Sequence, residues 1–208
     1  MKILRMSAAF MVLFGIMATA SAQWAVTDPS EPSYSAELQL QYQATRNASE
    51  QRSLFAKSLY VEKSLGGSVS VTFIGYHDEE FWSMYPGLAW SHGNVEVGLG
   101  VGSAHYDGRS HTTLNPWVWY GNDELGIEAQ VYVERYLSEH DDPWYVKAYV
   151  RKRVGDLMFG VYEDSIMGAG PLAGVYLGKH LRLWAYVPVV GQPSTGRMRG
   201  AITLTYEF

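Results

Sequence analysis

The sequence has no cysteine among its 208 residues. This absence excludes a disulfide scaffold, a thiolate metal site and a cysteine nucleophile. Basic residues are also scarce, because 16 Lys and Arg stand against 21 Asp and Glu, which gives a formal charge of −5. Since nucleic-acid-binding domains are normally basic, we expect no nucleic-acid partner. Aromatic residues make up 14% of the chain, which is too many for a disordered protein.

Long apolar runs are absent after residue 22, and the one apolar run lies near the N-terminus. Residues 1–22 carry two basic residues, an apolar stretch at 8–18, and Ala20 and Ala22 at the spacing of a cleavage site. This pattern predicts a secretory signal peptide whose removal leaves residues 23–208 as one domain. The alternative is a membrane-anchoring helix, but the run is shorter than the roughly 18–20 residues that a span needs.

Apolar and polar residues alternate along most of the remaining chain, without a sustained helical spacing. Near residue 130, for example, Ile127, Ala129 and Val131 alternate with Glu128 and Gln130. A period of two is typical of a β-strand with one apolar face. Divided at its turn residues, the pattern predicts twelve strands near 34–46, 52–63, 67–76, 81–90, 95–105, 113–120, 125–137, 143–154, 157–165, 170–177, 181–189 and 197–208.

The connections between these strands alternate in length. Tight turns follow the even-numbered strands, at 65–67, 91–94, 121–124, 154–156 and 178–180. Longer polar segments follow most odd-numbered strands, at 106–112, 138–142 and 190–196. Short turns at one end and longer loops at the other predict an all-β, antiparallel, transmembrane up-and-down β-barrel of twelve strands, with ten and fourteen as alternatives. Both termini then lie at the turn end, on the periplasmic side.

Three features favour a barrel in lipid over a soluble sandwich. Tilted strands of about 10 residues span the hydrocarbon layer. The polar faces are rich in charged residues and Gln, which a dry sandwich core would not tolerate unpaired. Trp and Tyr near the strand ends predict an interfacial aromatic girdle, formed by Trp82, Trp90, Trp117, Trp119, Trp144, Trp184 and Tyr206.

The C-terminal residues resemble the assembly signal of bacterial outer-membrane β-barrels. That signal ends in an aromatic residue preceded by hydrophobic residues at alternating positions, and the matching residues are Ile202, Leu204, Tyr206 and Phe208. The resemblance implies export through the periplasm to the cell outer membrane of a Gram-negative envelope, contact with membrane lipid and lipopolysaccharide, and transient recognition by the barrel-assembly machinery. In size and strand number the chain is similar to the small oligosaccharide-specific porins, although no diagnostic motif matches.

A water-filled lumen would receive the polar members of each alternation. The residues predicted to line this pore are Glu128, Glu134, Tyr132, Lys147, Tyr149, Arg151, Arg153, Arg182, Trp184, Arg197 and Arg199. Acids fall on the first, fifth and seventh predicted strands and bases on the eighth, eleventh and twelfth. This segregation predicts an electric field across the lumen, or ion pairs between the acids of the seventh strand and the bases of the eighth. The second, fourth and sixth strands have an ambiguous phase, so their inward faces stay unassigned.

This lumen predicts a porin-type channel for small hydrophilic solutes or saccharides, without catalysis, cofactor or metal. Arg guanidinium groups bind carboxylates, and aromatic faces pack against sugar rings, so anionic or neutral saccharides are the expected solutes. Gly98, Gly100 and Gly102 favour an open passage because they leave room inside. The first alternative is a filled, non-conducting barrel that serves an envelope or exopolysaccharide system as a structural or accessory protein.

A lipid-modifying enzyme is the second alternative. Such an enzyme needs Ser, His and an acid or amide close together near the membrane surface. Candidate sets are Ser103, His105 and Asp107, or Ser110 and His111. Their spacing matches no lipid-enzyme motif, and His and Asp in loops are usually only solvated, so we expect neither a catalytic nor a metal site.

Overall fold

The computed structural model describes residues 34–46, 51–79, 81–106, 108–137, 144–165, 168–190 and 197–208. The predicted signal peptide lies outside the described residues. Within them, no helix is long and apolar enough to cross a membrane. The chain forms β-strands instead, and the turn residues between the alternating segments determine where most strands begin and end.

Twelve strands are present, as predicted. They are β1 (Tyr34–Arg46), β2 (Gln51–Gly66), β3 (Val69–His77), β4 (Trp82–His92), β5 (Val95–Tyr106), β6 (Arg109–Asn122), β7 (Ile127–Tyr136), β8 (Trp144–Val154), β9 (Leu157–Asp164), β10 (Gly168–Tyr176), β11 (Leu181–Tyr186) and β12 (Arg197–Glu207). Each strand pairs antiparallel with its neighbours in sequence, and β1 pairs with β12. The fold is therefore the predicted closed, antiparallel, up-and-down barrel, in which no strand edge is left unpaired.

The two ends of the barrel differ, and we call them the turn end and the loop end. At the turn end, two-residue turns connect β2 to β3, β4 to β5 and β8 to β9. Gly93 and Gly155 adopt positive φ values of 57° and 62° in two of these turns, a conformation that such short hairpins require. The start of β1 and the end of β12 lie at the same end, because Glu37 pairs with Glu207.

The connection between β5 and β6 is shorter than predicted. The segment 106–112 was expected to be a loop, but β6 begins at Arg109 and only residues 107 and 108 separate the strands. The ladder continues to the pair Tyr106–Arg109. This part of β6 lacks the apolar alternation because its outward residues, Ser110 and Thr112, are polar.

The outer wall of the barrel is apolar, as the alternation predicted. On β5, Val97, Leu99 and Val101 are each between 38% and 50% exposed, whereas the residues between them face the interior. On the neighbouring β4, Leu88 and Trp90 face the same way. A monomeric soluble protein rarely exposes so large a contiguous apolar surface. This wall is therefore suited to the hydrocarbon layer of a membrane.

The predicted aromatic girdle is only partly present. Trp90 stacks on His92 at a ring separation of 5.6 Å on the outer wall, and Tyr206 packs edge-on against Phe208 at 4.7 Å near the turn end. Trp82 also faces outward, whereas the Trp144 side chain lies outside the described residues. The prediction was wrong for three residues that face the interior, which are Trp117, Trp119 and Trp184. A position near a strand end does not specify whether the side chain faces the outside or the interior of the barrel.

The two prolines that interrupt strand-like segments behave differently. Pro188 follows the end of β11. Pro116 lies in the middle of β6, opposite Val133, where the ladder to β7 is interrupted. The Asn115 side chain donates a hydrogen bond of 2.6 Å from Nδ2 to the Val133 carbonyl. This side-chain amide supplies a donor beside the position where proline has no N–H.

Candidate functional site

The interior of the barrel contains a cavity of about 340 Å³. It extends from the turn end, where Glu37, Glu62 and Glu96 line it, toward the loop end, where Lys147 and Tyr76, the last residue but one of β3, line it. Aromatic and ionisable side chains from nine of the twelve strands contribute to its surface. A cavity of this size is at the small end of the roughly 300–1,000 Å³ range of ligand pockets.

Six of the eleven residues predicted to line a pore line this cavity, and they are Glu128, Tyr132, Lys147, Tyr149, Arg151 and Trp184. Glu134 and Arg182 are buried in the interior but do not line the cavity. Arg153 lies instead at the turn-end rim with a half-exposed side chain, because Gly155 O accepts its Nε–H at 2.9 Å and Asp156 pairs with it at 3.9 Å. Arg197 and Arg199 lie in β12, but their side chains are outside the described part.

The cavity also has residues on the strands whose phase the sequence left ambiguous. Tyr60 and Glu62 on β2, and Trp117 and Trp119 on β6, face inward and line it. On β6 the inward Trp117 follows the outward Pro116 and precedes the outward Val118, so both faces look apolar in sequence. A short signal was present in the middle of this strand, where the buried polar residues Thr113 and Asn115 alternate with the apolar residues Leu114 and Pro116.

Arg151 is neutralised by Glu128 on the neighbouring strand. The Arg151 Nε–Glu128 Oε2 distance is 3.0 Å and the Nη2 atom lies 2.6 Å from both carboxylate oxygens. Glu128 also accepts hydrogen bonds from Tyr149 Oη at 2.5 Å and from Trp119 Nε1 at 3.2 Å. This is one of the predicted β7–β8 ion pairs, and its fork geometry is typical of strong Arg–carboxylate pairing.

Arg182 is neutralised at the seam where β1 meets β12. Glu37 and Glu207 are directly opposite each other across this seam, so two like charges face the same side. The Arg182 guanidinium pairs with both of them, contacting Glu37 through Nη2 and Glu207 through Nη1, the latter at 2.5 Å. Arg182 therefore links β11, β12 and β1. Its positive charge offsets the repulsion between Glu37 and Glu207, which the strand register places opposite each other.

The second predicted β7–β8 pair does not form. Among the described residues no ion pair joins Glu134 to Lys147. The Lys147 ammonium lies instead over the rings of Tyr76 and Tyr145, at 4.9 and 5.2 Å from their centroids. These cation–π contacts hold the Lys147 charge beside the cavity. The Glu134 side chain is buried, at 3% exposure.

Glu62 and Glu96 differ from the other cavity acids because their hydrogen-bond donors are neutral. The Tyr60 hydroxyl lies between them, 3.1 Å from Glu62 Oε2 and 3.3 Å from Glu96 Oε1. Trp117 Nε1 and Ser91 Oγ each donate to Glu96 at 3.2 Å. Within the described part of the chain, neither acid forms an ion pair with Lys or Arg.

The interior is packed toward the loop end by six side chains that we call the loop-end layer. They are Tyr85, Thr113, Asn115, Glu134, Asp164 and Tyr186, all at most 3% exposed. None of the six lines the cavity. Asp164 accepts a hydrogen bond of 2.5 Å from Tyr145 Oη. These six side chains therefore fill a part of the interior that the cavity does not reach.

The glycine stripe on β5 is filled by aromatic rings, which corrects the expectation that it leaves free space. A Cβ atom at Gly98 would overlap the Trp117 ring. A Cβ atom at Gly100 would lie 2.9 Å from Tyr85 Cβ, and one at Gly102 would lie 3.0 Å from Tyr85 Cδ1. Because the glycines have no side chain, the Trp117 and Tyr85 rings can lie against the inner face of β5. The glycines therefore favour a packed interior.

The residues considered for lipid chemistry are only partly brought together. On the outer wall near the loop end, His105 Nδ1 lies 3.1 Å from Ser110 Oγ, and the His105 ring stacks on Trp82. His111 faces the interior and packs edge-on against Tyr136. Asp107 lies outside the described residues. Within the described residues, no three His, Asp or Glu side chains form a potential metal site.

No protein-family model matches the chain, and no curated protein matches it. Among solved structures, the chain is similar to outer membrane phospholipase A from Escherichia coli, at 13% identity, 88% coverage of this chain, 93% coverage of that chain and a TM-score of 0.49. A triple mutant of the Rhodopseudomonas blastica porin has 8% identity, coverages of 86% and 100%, and a TM-score of 0.39. Salmonella typhi OmpF in complex with daunomycin has 7% identity, coverages of 86% and 98%, and a TM-score of 0.38.

Proposed function

We propose that the chain is an outer-membrane barrel that forms a narrow channel for small hydrophilic solutes, closed at rest by the loop-end layer. The observation that carries this proposal is a polar, charged cavity inside a wall whose outer face is apolar. A lipid-exposed exterior with a polar interior is the arrangement of transmembrane β-barrels. Charges and aromatic rings on the cavity wall would then set its selectivity.

The location and partners follow from the same proposal. The apolar wall contacts membrane lipid, and the loop end faces lipopolysaccharide if the turn end lies in the periplasm. Export through the periplasm follows cleavage of the signal peptide at residue 22. We also propose that Ile202, Leu204, Tyr206 and Phe208 are recognised transiently by the barrel-assembly machinery. Ile202 and Tyr206 support this role because their side chains are outward and about half exposed.

The composition of the loop-end layer supports its role as a closed but openable constriction. Tyr85 Oη, Thr113 Oγ1, Asn115 Oδ1 and Glu134 Oε1 are buried. Tyr85 is the polar neighbour of Thr113 and Glu134, but none of the four atoms makes a hydrogen bond of good geometry within the described part of the chain. Poorly formed hydrogen bonds recover only part of the free energy lost when polar atoms leave water. Entry of water would satisfy these atoms, so the layer favours hydration more than an apolar plug would.

A non-conducting accessory barrel is the second candidate function. The observation in its favour is the packing of the same layer, in which Tyr85, Thr113, Asn115 and Asp164 have no exposed surface. In that case the loops and the turn-end cavity would act in recognition, and no solute would cross the barrel.

Single-channel recording in a planar bilayer tests the two candidates. The refolded chain of residues 23–208 is expected to give discrete current steps, and Tyr85→Ala is expected to raise their conductance at least about twofold by widening the constriction. Met84→Ala is the matched control, since Met84 is the neighbouring outward residue at 46% exposure. Silence from folded parent and folded Tyr85→Ala protein would refute the channel and support the accessory barrel.

Catalysis is not part of the proposal, although His105 and Ser110 are in contact. In the described part of the chain, no carboxylate or amide is shown to orient His105, as a nucleophilic triad requires. We expect the refolded protein in mixed lipid micelles to release no fatty acid, and His105→Ala to leave that background unchanged. Acyl release that His105→Ala or Ser110→Ala abolishes would establish a lipid-modifying enzyme instead.

A further inference from the structure

We propose that the turn-end cavity takes a small saccharide that carries a primary ammonium group, such as a hexosamine. This inference rests on the proposed function, because it names the solute class of the same cavity. It reverses the sequence-based expectation that arginines in the lumen would select anionic sugars. The reason is that Arg151 and Arg182 are paired with carboxylates, whereas Glu62 and Glu96 have no counter-ion within the described residues.

The arginines of the interior are engaged by carboxylates. Arg151 makes a forked pair with Glu128, and Arg182 is shared between Glu37 and Glu207. Both guanidinium groups are at most 7% exposed. A carboxylate on a solute would have to displace an internal carboxylate to bind either of them, so the arginines offer little net attraction to an anion.

Glu62 and Glu96 are the acids of the cavity that have no such partner. Their donors are the neutral Tyr60 hydroxyl, Trp117 indole and Ser91 hydroxyl. One Tyr60 proton cannot satisfy both carboxylates at once. An ammonium group between them would donate to both and balance their charge, and such charge-assisted hydrogen bonds are about twice as strong as neutral ones.

A second observation beside this pair is a buried hydroxyl without a partner. Thr72 lies opposite Glu62 in the β2–β3 ladder and is 1% exposed. Its Oγ1 atom makes no hydrogen bond in the described part of the chain and lies 3.0 Å from where a Cβ of Gly87 would stand. The Thr72 side chain therefore points into the barrel, as the side chain of Glu62 does. Thr72 does not itself line the cavity, so a water molecule held between its hydroxyl and the ligand would be needed to satisfy this atom.

The aromatic residues of the cavity suit a sugar ring. Trp117 and Trp119 line the same side as Glu96, and their indole N–H groups are directed to Glu96 and Glu128. The Trp117 ring is 3% exposed and packs over Gly98, so Trp119 is the more accessible of the two rings to a sugar. Lys147, the cation of the opposite side, is held over Tyr76 and Tyr145. The ammonium group would therefore point to the Glu62–Glu96 side, and the volume of about 340 Å³ suits one or two rings.

Tryptophan fluorescence of the refolded full barrel in detergent tests this inference without requiring conduction. Glucosamine is the probe, N-acetylglucosamine is the matched neutral ring, and glucuronate is the anionic one. We expect glucosamine to change the emission saturably and to bind about tenfold more tightly than N-acetylglucosamine. Glu96→Gln and Glu62→Gln should each abolish most of this preference. Glu163→Gln is the control, since Glu163 is an exposed acid on the outward face of β9.

Equal binding of glucosamine and N-acetylglucosamine, or tighter binding of glucuronate, would overturn the inference. Should Glu96→Gln misfold, Tyr60→Phe retains the cavity and should change the preference less than Glu62→Gln does. The planar-bilayer result separates the two proposals. Current without an amino-sugar preference would leave the channel standing and refute the ligand class. Amino-sugar binding without current would support the ligand class and refute the channel.

Discussion

Replacing Gly102 by alanine is expected to prevent or severely weaken folding of the barrel. A Cβ atom there would overlap the carbonyl oxygen of Met84 and approach the Tyr85 ring. The overlap is with backbone, so β4 and β5 would have to separate, and overpacking of this kind costs about 3 kcal/mol or more. Two measured quantities should fall. One is the folded fraction, measured by the difference in gel mobility between heated and unheated protein, and the other is the free energy of unfolding in urea.

Gly75→Ala is the matched control for this prediction. Gly75 also lies within a strand, but its nearest neighbour would be Phe73 Cε1 at 3.3 Å, a side-chain atom of a partly exposed ring that can move. We expect Gly75→Ala to change the free energy of unfolding by less than about 1 kcal/mol. Unchanged stability of Gly102→Ala would show that the close approach of β4 and Tyr85 to β5 does not constrain the fold.

Replacing Arg182 by leucine is expected to produce the second largest loss of stability. The substitution leaves Glu37 and Glu207 facing each other across the β1–β12 seam without a counter-ion. Breaking a buried ion pair costs about 3–5 kcal/mol. The lower end of that range is expected because water reaches Glu207, which is 43% exposed. Urea unfolding of the parent and variant barrels in the same detergent would measure the difference.

Removal of the two acids should restore most of the stability lost in Arg182→Leu. The variant with Glu37→Gln and Glu207→Gln added has no unbalanced charge at the seam, so the repulsion is removed. Arg153→Leu is the control, because Arg153 is half exposed and its pair with Asp156 spans 3.9 Å. Equal losses in Arg182→Leu and Arg153→Leu would show that the seam does not depend on this arginine.

These predictions share a physical basis, which is that the interior of the barrel is organised as a protein core and not as a uniform aqueous lumen. Met158, Tyr162, Leu172, Trp184 and Tyr186 form a buried cluster on the β9–β12 side. Ion pairs and aromatic rings occupy much of the remaining space. In the proposed channel, selectivity would then depend on the few groups that the packing of the described residues leaves without a counter-ion, such as Glu62 and Glu96.

The sequence alone predicted the antiparallel order of the strands and the apolar outer wall, and it predicted twelve strands with ten and fourteen as alternatives. A barrel wall with one apolar face has an apolar residue at every second position, so the outward face of β5, with Val95, Val97, Leu99 and Val101, is visible in the alternation. Turn residues such as Gly93 then mark the strand ends. These features are local, since each depends on neighbours within one strand or hairpin.

Only the tertiary structure decided how the interior is arranged. Trp117 and Trp119 face inward although their strand looks apolar on both faces, and the β5 glycines receive rings from β4 and β6. Arg182 meets Glu37 across a separation of 145 residues. Such contacts depend on register and closure between strands distant in sequence, and alternation within a strand contains no information about them. For the same reason, only the folded barrel shows which charges of the described residues stay unpaired, and these are the charges on which the proposed solute selectivity would depend.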